Sequence, residues 1–227
     1  MARSAKTLTA NGDAQIDTAQ SKFGGASGLF DGAGDYVTGA LGSDAFGTGD
    51  FTIDFWVRHN SAFVNYETWW SQRDGGTGFN IGTDVNAGFT FYSQTEGVVF
   101  TVSSLFSLNT WHHVAVTRSG TTLRGFVDGV KIAEVTNSTN YNQSNFGIGD
   151  HPSPTEPLNG WIDEFRVSKG IARWTADFTP ESSAYDCSVN NDTYTVLMAH
   201  MDGADASTTF TDDNSECVTF IPQVIII

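Results

Sequence analysis

Five histidines, a few placed carboxylates and a run of aromatic residues are the groups in this sequence that could do chemistry. The histidines are His59, His112, His113, His151 and His200. His112 and His113 are adjacent in a β-rich stretch, so their side chains point to opposite faces and make a poor pair for one metal. No His-Glu-x-x-His run or paired-cysteine spacing points to zinc. Asp163 and Glu164 are also neighbours, and a retaining acid–nucleophile pair must converge to roughly 5 Å. Asp31 and Asp35 bracket a glycine-rich turn, where backbone carbonyls can approach a cation. With Asp163 they form an oxygen-only set that suits calcium at about 2.4 Å. The alternative is that Asp163 accepts from turn amides and that Asp31 and Asp35 are turn residues. Tyr66, Trp69, Trp70 and Tyr92 could form an aromatic platform for a sugar, with Asn65, Gln72 and Asp84 as polar partners. Trp69 and Trp70 are consecutive, so strict alternation turns one of them out of the sheet; otherwise both are core residues.

These groups must be carried by strands. Phe51, Ile53, Phe55 and Val57 alternate with Thr52, Asp54, Trp56 and Arg58, as in a half-buried strand. Residues 79–81, 88–92, 98–102, 123–127 and 130–135 read the same way. Asp128-Gly129 between the last two is a two-residue hairpin signal. In residues 161–167, Trp161, Asp163, Phe165 and Val167 fall on one face and Ile162, Glu164 and Arg166 on the other. That pattern puts Asp163 among apolar neighbours, where a carboxylate needs donors, a cation or a metal. No ten-residue window has helical period, although residues 171–176 suit one helical turn. The class is all-β: a jelly-roll sandwich of two antiparallel sheets.

Composition narrows the partners. The chain has 227 residues and a formal net charge of −15, spread along its length. That disfavours phosphate-backbone binding of nucleic acid, which needs a basic surface, and docking on anionic membranes. No membrane-length apolar run is present, and residues 1–10 have no secretory leader pattern. The two cysteines, Cys187 and Cys217, bracket one tail segment. Outside a reducing cytosol they are expected to form a disulfide closing about 30 residues, worth roughly 3–4 kcal/mol; the alternative is two buried thiols.

Four motifs carry a family resemblance. Gly-Trp-Ile-Asp-Glu-Phe-Arg-Val-Ser-Lys-Gly-Ile-Ala-Arg-Trp over residues 160–174 resembles the last-strand signature of laminin-G-like, or concanavalin A-like, domains of phage and other virion proteins. Residues 51–57, 111–118 and 126–130 resemble earlier strands and a hairpin of that family, in family order. The resemblance covers residues 23–180 and implies the laminin-G-like sandwich. Related laminin-G-like and pentraxin-like domains often hold calcium through carboxylates and carbonyls. Some concanavalin A-like folds are glucanases with a Glu-x-Asp-x-Glu run, which this sequence lacks. The resemblance therefore implies a non-enzymatic structural or adhesion module of a virion or extracellular surface, with weak glycan binding. A dedicated lectin is the alternative, and a glycoside hydrolase a more distant one.

The tail adds an expectation about assembly. Residues 193–213 resemble the opening of a laminin-G-like unit whose continuation resembles residues 6–17. The expected organisation is a sandwich over 1–180 and an extension over 181–227. The extension completes this sandwich in cis or a neighbour's in trans by strand donation. The terminal Val-Ile-Ile-Ile goes beyond what one completed domain needs, which favours self-association or contact with other virion proteins.

Overall fold

The alternating segment at Phe51 becomes a central strand of one sheet in the computed structural model, which describes residues 4–63, 66–73, 77–151, 155–186 and 193–213. In chain order the strands are β1 (Thr9–Asn11), β2 (Gln15–Asp17), β3 (Ser27–Asp31), β4 (Tyr36–Ala40), β5 (Phe51–His59), β6 (Glu67–Ser71), β7 (Phe79–Thr83), β8 (Phe89–Ser93), β9 (Gly97–Val102), β10 (Trp111–Ser119), β11 (Thr122–Val127), β12 (Val130–Thr136), β13 (Asn145–Ile148), β14 (Asn159–Lys169) and β15 (Thr195–Ala199). Sheet one runs β1-β4-β13-β6-β7-β8-β9. Sheet two runs β12-β11-β10-β5-β14-β3-β2, with β15 also paired to β14. Every strand pairing is antiparallel. The laminin-G-like jelly-roll expectation holds.

The inner faces meet in an aromatic core. Phe51, Ile53, Phe55 and Val57 of β5 face Trp69, Trp70, Phe79, Ile81, Phe89 and Phe91 of sheet one. Phe55 stacks on Phe165 at 5.0 Å and Trp70 on Phe146 at 4.5 Å. Such ring pairs add to the apolar area that each aromatic buries. The Asp128-Gly129 turn forms as its residues require, with φ of 50° and 81° at the two central positions.

Two β-bulges change the faces that strict alternation assigns. In β14, Asp163 lies opposite Trp56 and Arg166 opposite Asp54, so three steps on β14 match two on β5. The extra residue, Glu164, has φ of 52°. One inserted residue flips every side chain beyond it. Trp161 and Asp163 therefore point outward while Phe165 and Val167 point into the core. Asp163 is buried, but on the outer side of sheet two, which corrects the expectation of a core-facing carboxylate. In β6, Thr68 lies opposite Gly82 and Trp70 opposite Ile81, which leaves Trp69 as the extra residue.

The outer face of sheet two is covered by the chain itself. Residues 171–186 cross it as an irregular segment; the expected helical turn over 171–176 does not form. The hydroxyl groups of Thr52 and Thr117 hold its backbone by donating to the carbonyls of Ile171 and Trp174 at 3.0 and 2.9 Å. Trp174 stacks on Phe178 at 3.9 Å, and both rings lie against His113.

The bulge also divides one edge of β14. Residues 159–162 pair with β3, and residues 165–168 pair with β15 of the same chain. Beyond β15, Asp212 accepts from the amides of Met198 at 3.0 Å and Lys6 at 2.6 Å. Ile16 exchanges backbone hydrogen bonds with Ala206 and Ser207. The two segments that resemble consecutive parts of one unit thus lie side by side. Cys187, Cys217 and the terminal Val-Ile-Ile-Ile lie outside the described residues.

Candidate functional site

Among the described residues, sheet one has no such cover over β6–β9. Register places Asn80 opposite Tyr92, Gly82 opposite Thr90, and Tyr92 opposite Val98. These residues alternate with Phe79, Ile81, Phe89 and Phe91, so they face outward. They floor a cavity of about 250 Å³ whose walls include Tyr66, Arg73 and Glu156. A second cavity of about 490 Å³ shares Tyr66, Glu67 and Glu156 with it and reaches Ser61 and Asn159. The two form one groove along the sheet and over its end.

Glu156 organises the groove. Its carbonyl accepts from the Thr68 amide at 2.8 Å. Its Oε2 accepts from Thr68 Oγ1 at 3.1 Å and Asn80 Nδ2 at 3.4 Å, and its Oε1 from Arg73 Nη1 at 3.4 Å. The Arg73 guanidinium also lies over the Tyr92 ring, 4.9 Å from its centroid. Tyr66 stands 55% exposed at the point where the two cavities join. With Asn80 Nδ2 fixed between Thr68 and Glu156, Asn80 Oδ1 is left without a protein partner. Behind the floor, Glu67 Oε2 meets His59 Nδ1 at 2.7 Å, and that ring sits among Phe63, Trp69 and Phe106.

The structure divides the four expected platform residues. Tyr66 and Tyr92 line the groove. Trp69 and Trp70 have no exposure, because the bulge at Trp69 turns both indoles into the core; neither can stack on a ligand. Gln72 and Asp84 do not line the groove. Gln72 donates to the Gln143 carbonyl, and Asp84 accepts from the amides of Asn86 and Gly88 within a turn. Asn65 lies outside the described residues. Arg73, Asn80 and Glu156 were not anticipated. Asn80 had a signal, as the polar position between Phe79 and Ile81.

The acidic residues fall in two places. Carboxylate oxygens of Asp13, Asp31 and Asp35 lie within 4.8 Å of one another, an oxygen-only set that fits a hard cation. Asp35 is buried and accepts from the amides of Asp13 and Asp31 at 2.8 and 3.0 Å. Burial, then the Asp13 side chain and the charge of Asp31, pushes its carboxyl up, against the pull of those amides. Asp163 is not part of this set: Asp31 pairs with Asn159, four residues before it on β14. Its Oδ2 instead accepts from the amides of Lys22 at 2.7 Å and Phe23 at 3.1 Å. Neighbouring Glu164 is buried and accepts from the Tyr185 amide at 2.7 Å and His200 Nδ1 at 2.9 Å. Both carboxylates are engaged by the chain's own groups.

Comparison with known proteins agrees with this architecture. Residues 31–174, more than half the chain, match the family described as the concanavalin A-like lectin/glucanases superfamily. Among solved structures, domain 4 of AbnA, a GH43 extracellular arabinanase from Geobacillus stearothermophilus in complex with arabinotriose, superposes with a TM-score of 0.57 at 18% identity. That match covers 74% of this chain and 83% of the other. A putative carbohydrate binding protein from Bacteroides ovatus superposes with a TM-score of 0.57 at 14% identity, over 89% of this chain and 53% of its own. Botulinum neurotoxin type C, whose cell entry depends on interaction with two ganglioside molecules, matches at 15% identity with a TM-score of 0.54, over 80% of this chain and 44% of its own. The chain therefore spans most of the first of these structures and about half of the other two. No curated protein sequence matches the chain. At these identities the structural likeness speaks for the fold, and the sequence match speaks for the lineage: the chain belongs to the concanavalin A-like lectin/glucanase superfamily.

Proposed function

We propose that this chain is a non-enzymatic glycan-binding module, exposed on an extracellular or virion surface, that uses the groove over β6–β9. The observation that carries this reading is an exposed tyrosine, Tyr66, and a second, Tyr92, set along a groove whose floor is polar. A sugar ring offers an apolar face to an aromatic side chain and hydroxyls to the groups around it, and ligand sites combine these two features. The named neighbours support the same class: one is in complex with arabinotriose, one is a putative carbohydrate binding protein, and one depends on gangliosides for cell entry. Asp163 and Glu164, the adjacent carboxylates weighed as an acid–nucleophile pair, accept from backbone and histidine donors.

Asp13, Asp31 and Asp35 would hold a calcium ion in this reading. A bound divalent cation would neutralise three carboxylates and tie the turn after β1 to the turn after β3.

Affinity electrophoresis in gels containing soluble polysaccharides, followed by a glycan array, tests the function. The intact chain is expected to be retarded by at least one polysaccharide. The Tyr66→Ala, Tyr92→Ala double variant is expected to migrate freely while melting like the parent. Retardation that survives in the double variant would place the sugar site elsewhere.

A further inference from the structure

We infer that the groove selects neutral, hydroxyl-rich glycans and rejects sialylated, sulfated or uronic ones; this rests on the glycan-binding reading above. The first ground is the balance of donors and acceptors. Glu156 presents carboxylate oxygens, which only accept, on a side chain that stays 27% exposed. The hydroxyl of Thr90 is engaged with that of Thr101 at 2.9 Å. A carboxylate on the groove wall is completed by a ligand that donates. Sugar hydroxyls donate, whereas carboxylate and sulfate oxygens at neutral pH do not.

The second ground is charge. Glu156 lines the groove, the Glu67 carboxylate lies behind its floor, and Arg73 is its one cation among the described residues. Arg73 faces Glu156 and lies on the Tyr92 ring, so its charge is already answered. An anionic sugar entering here would meet Glu156 before it met a free cation, and like charges brought together suppress a wrong partner. The whole chain, with 26 acidic and 11 basic residues, repels anions before they reach the groove.

The test compares matched ligands on the intact chain at low ionic strength. A glycan array and then titration calorimetry would use cello- and arabino-oligosaccharides, the C6-oxidised uronic form of the cello-oligosaccharide, sialyllactose and a sulfated oligosaccharide. The expected result is binding of a neutral oligosaccharide at least about tenfold tighter than its anionic counterpart, a preference that narrows as salt is added. Glu156→Gln keeps the size of the side chain and removes its charge, so the neutral-to-anionic affinity ratio should fall by about tenfold. Tighter binding of the anionic ligands would overturn the inference and leave the glycan reading standing. No binding to any glycan would overturn both. A ratio that Glu156→Gln does not move would show that the groove charge is not the selector.

Discussion

The two outer faces of the sandwich carry similar groups and treat them in opposite ways. On sheet two, Asp54 and Arg166 form a buried ion pair, with Arg166 Nη2 to Asp54 Oδ2 at 2.8 Å and Nε to Oδ1 at 3.1 Å. Tyr185 lies under the guanidinium, 4.1 Å away, and its hydroxyl meets His113 Nε2 at 3.0 Å. Burial alone would raise the Asp54 carboxyl, yet Arg166 and His113 hold it well below the usual range. On sheet one, Arg73, Glu156, Tyr66 and Tyr92 are a comparable mix of ion pair and aromatic rings, with no covering segment among the described residues. The difference lies in residues 171–186, which dock on one face only. Under the segment 171–186, charge and aromatic surface become structure; on the face that no described residue covers, the same groups line a groove.

The largest way to break this contrast is to unpair the covered face. Arg166→Ala leaves Asp54 buried without its cation, and the expected loss is about 3–5 kcal/mol in urea denaturation. Glycan affinity of the folded fraction should be unchanged, because no groove residue is touched. A loss below about 1 kcal/mol would mean that the face is solvated like a surface pair. Trp70→Ala should cost about as much, roughly 3–5 kcal/mol, as truncation of a core aromatic.

A cation at Asp13, Asp31 and Asp35 would give the acidic turns a form of cover that the chain does not supply. Free calcium at a hundred times its Kd should stabilise the fold by about 2.7 kcal/mol. Asp31→Asn should abolish most of that gain. Identical melting curves in calcium and in excess chelator would remove the site.

The next effect concerns pH at the seam between β14 and the tail. Burial, reinforced by the charges of Glu164 and Asp202, pushes Asp163 up to about 7, against the amides of Phe23 and Lys22. The bond to Glu164 raises His200, although burial opposes it. Each group keeps a proton in the folded state that it loses at lower pH when unfolded. Their stabilisation is therefore greatest on the acid side and is lost as pH rises through the folded-state values. The melting temperature should fall by about 5 °C between pH 5 and pH 8, and Asp163→Asn should flatten that slope. A melting temperature that rises over this interval would contradict the assignment.

The smallest effect sharpens the contrast from the open side. Tyr92→Ala should change stability by no more than about 1 kcal/mol, the scale of its partly exposed contact with the Arg73 guanidinium. It should nonetheless weaken glycan binding about tenfold, which is about 1.4 kcal/mol.

Much of the scaffold was legible because its signals are local. The alternation in residues 51–57 and the Asp128-Gly129 turn each follow from period and turn chemistry over a few residues. The opposite pointing of His112 and His113 follows in the same way. The failures cluster at the bulges in β14 and β6. A single inserted residue leaves no mark in composition, yet it moved Asp163 to the other face and sent both Trp69 and Trp70 inward. The groove was half legible. Tyr66 and Tyr92 could be named as aromatic residues in polar settings. Their convergence with Arg73, Asn80 and Glu156 comes from separate segments brought together by strand pairing, which no sequence window contains. The cover formed by residues 171–186 was invisible for the same reason, since its contacts are spread over β5, β10, β11, β12 and β14.

The bond between Asp212 and the amide of Lys6 joins positions 206 residues apart in sequence. Contacts of that separation carry the entropy of closing nearly the whole chain, and they slow folding. During synthesis, everything up to β14 emerges before the strand that fills its edge. For that interval residues 165–168 have unpaired backbone groups along one side, beside Val167 and Phe165. The sandwich is thus finished last at the place where it began, and a nascent chain is most exposed to pairing with another copy just before its own tail arrives.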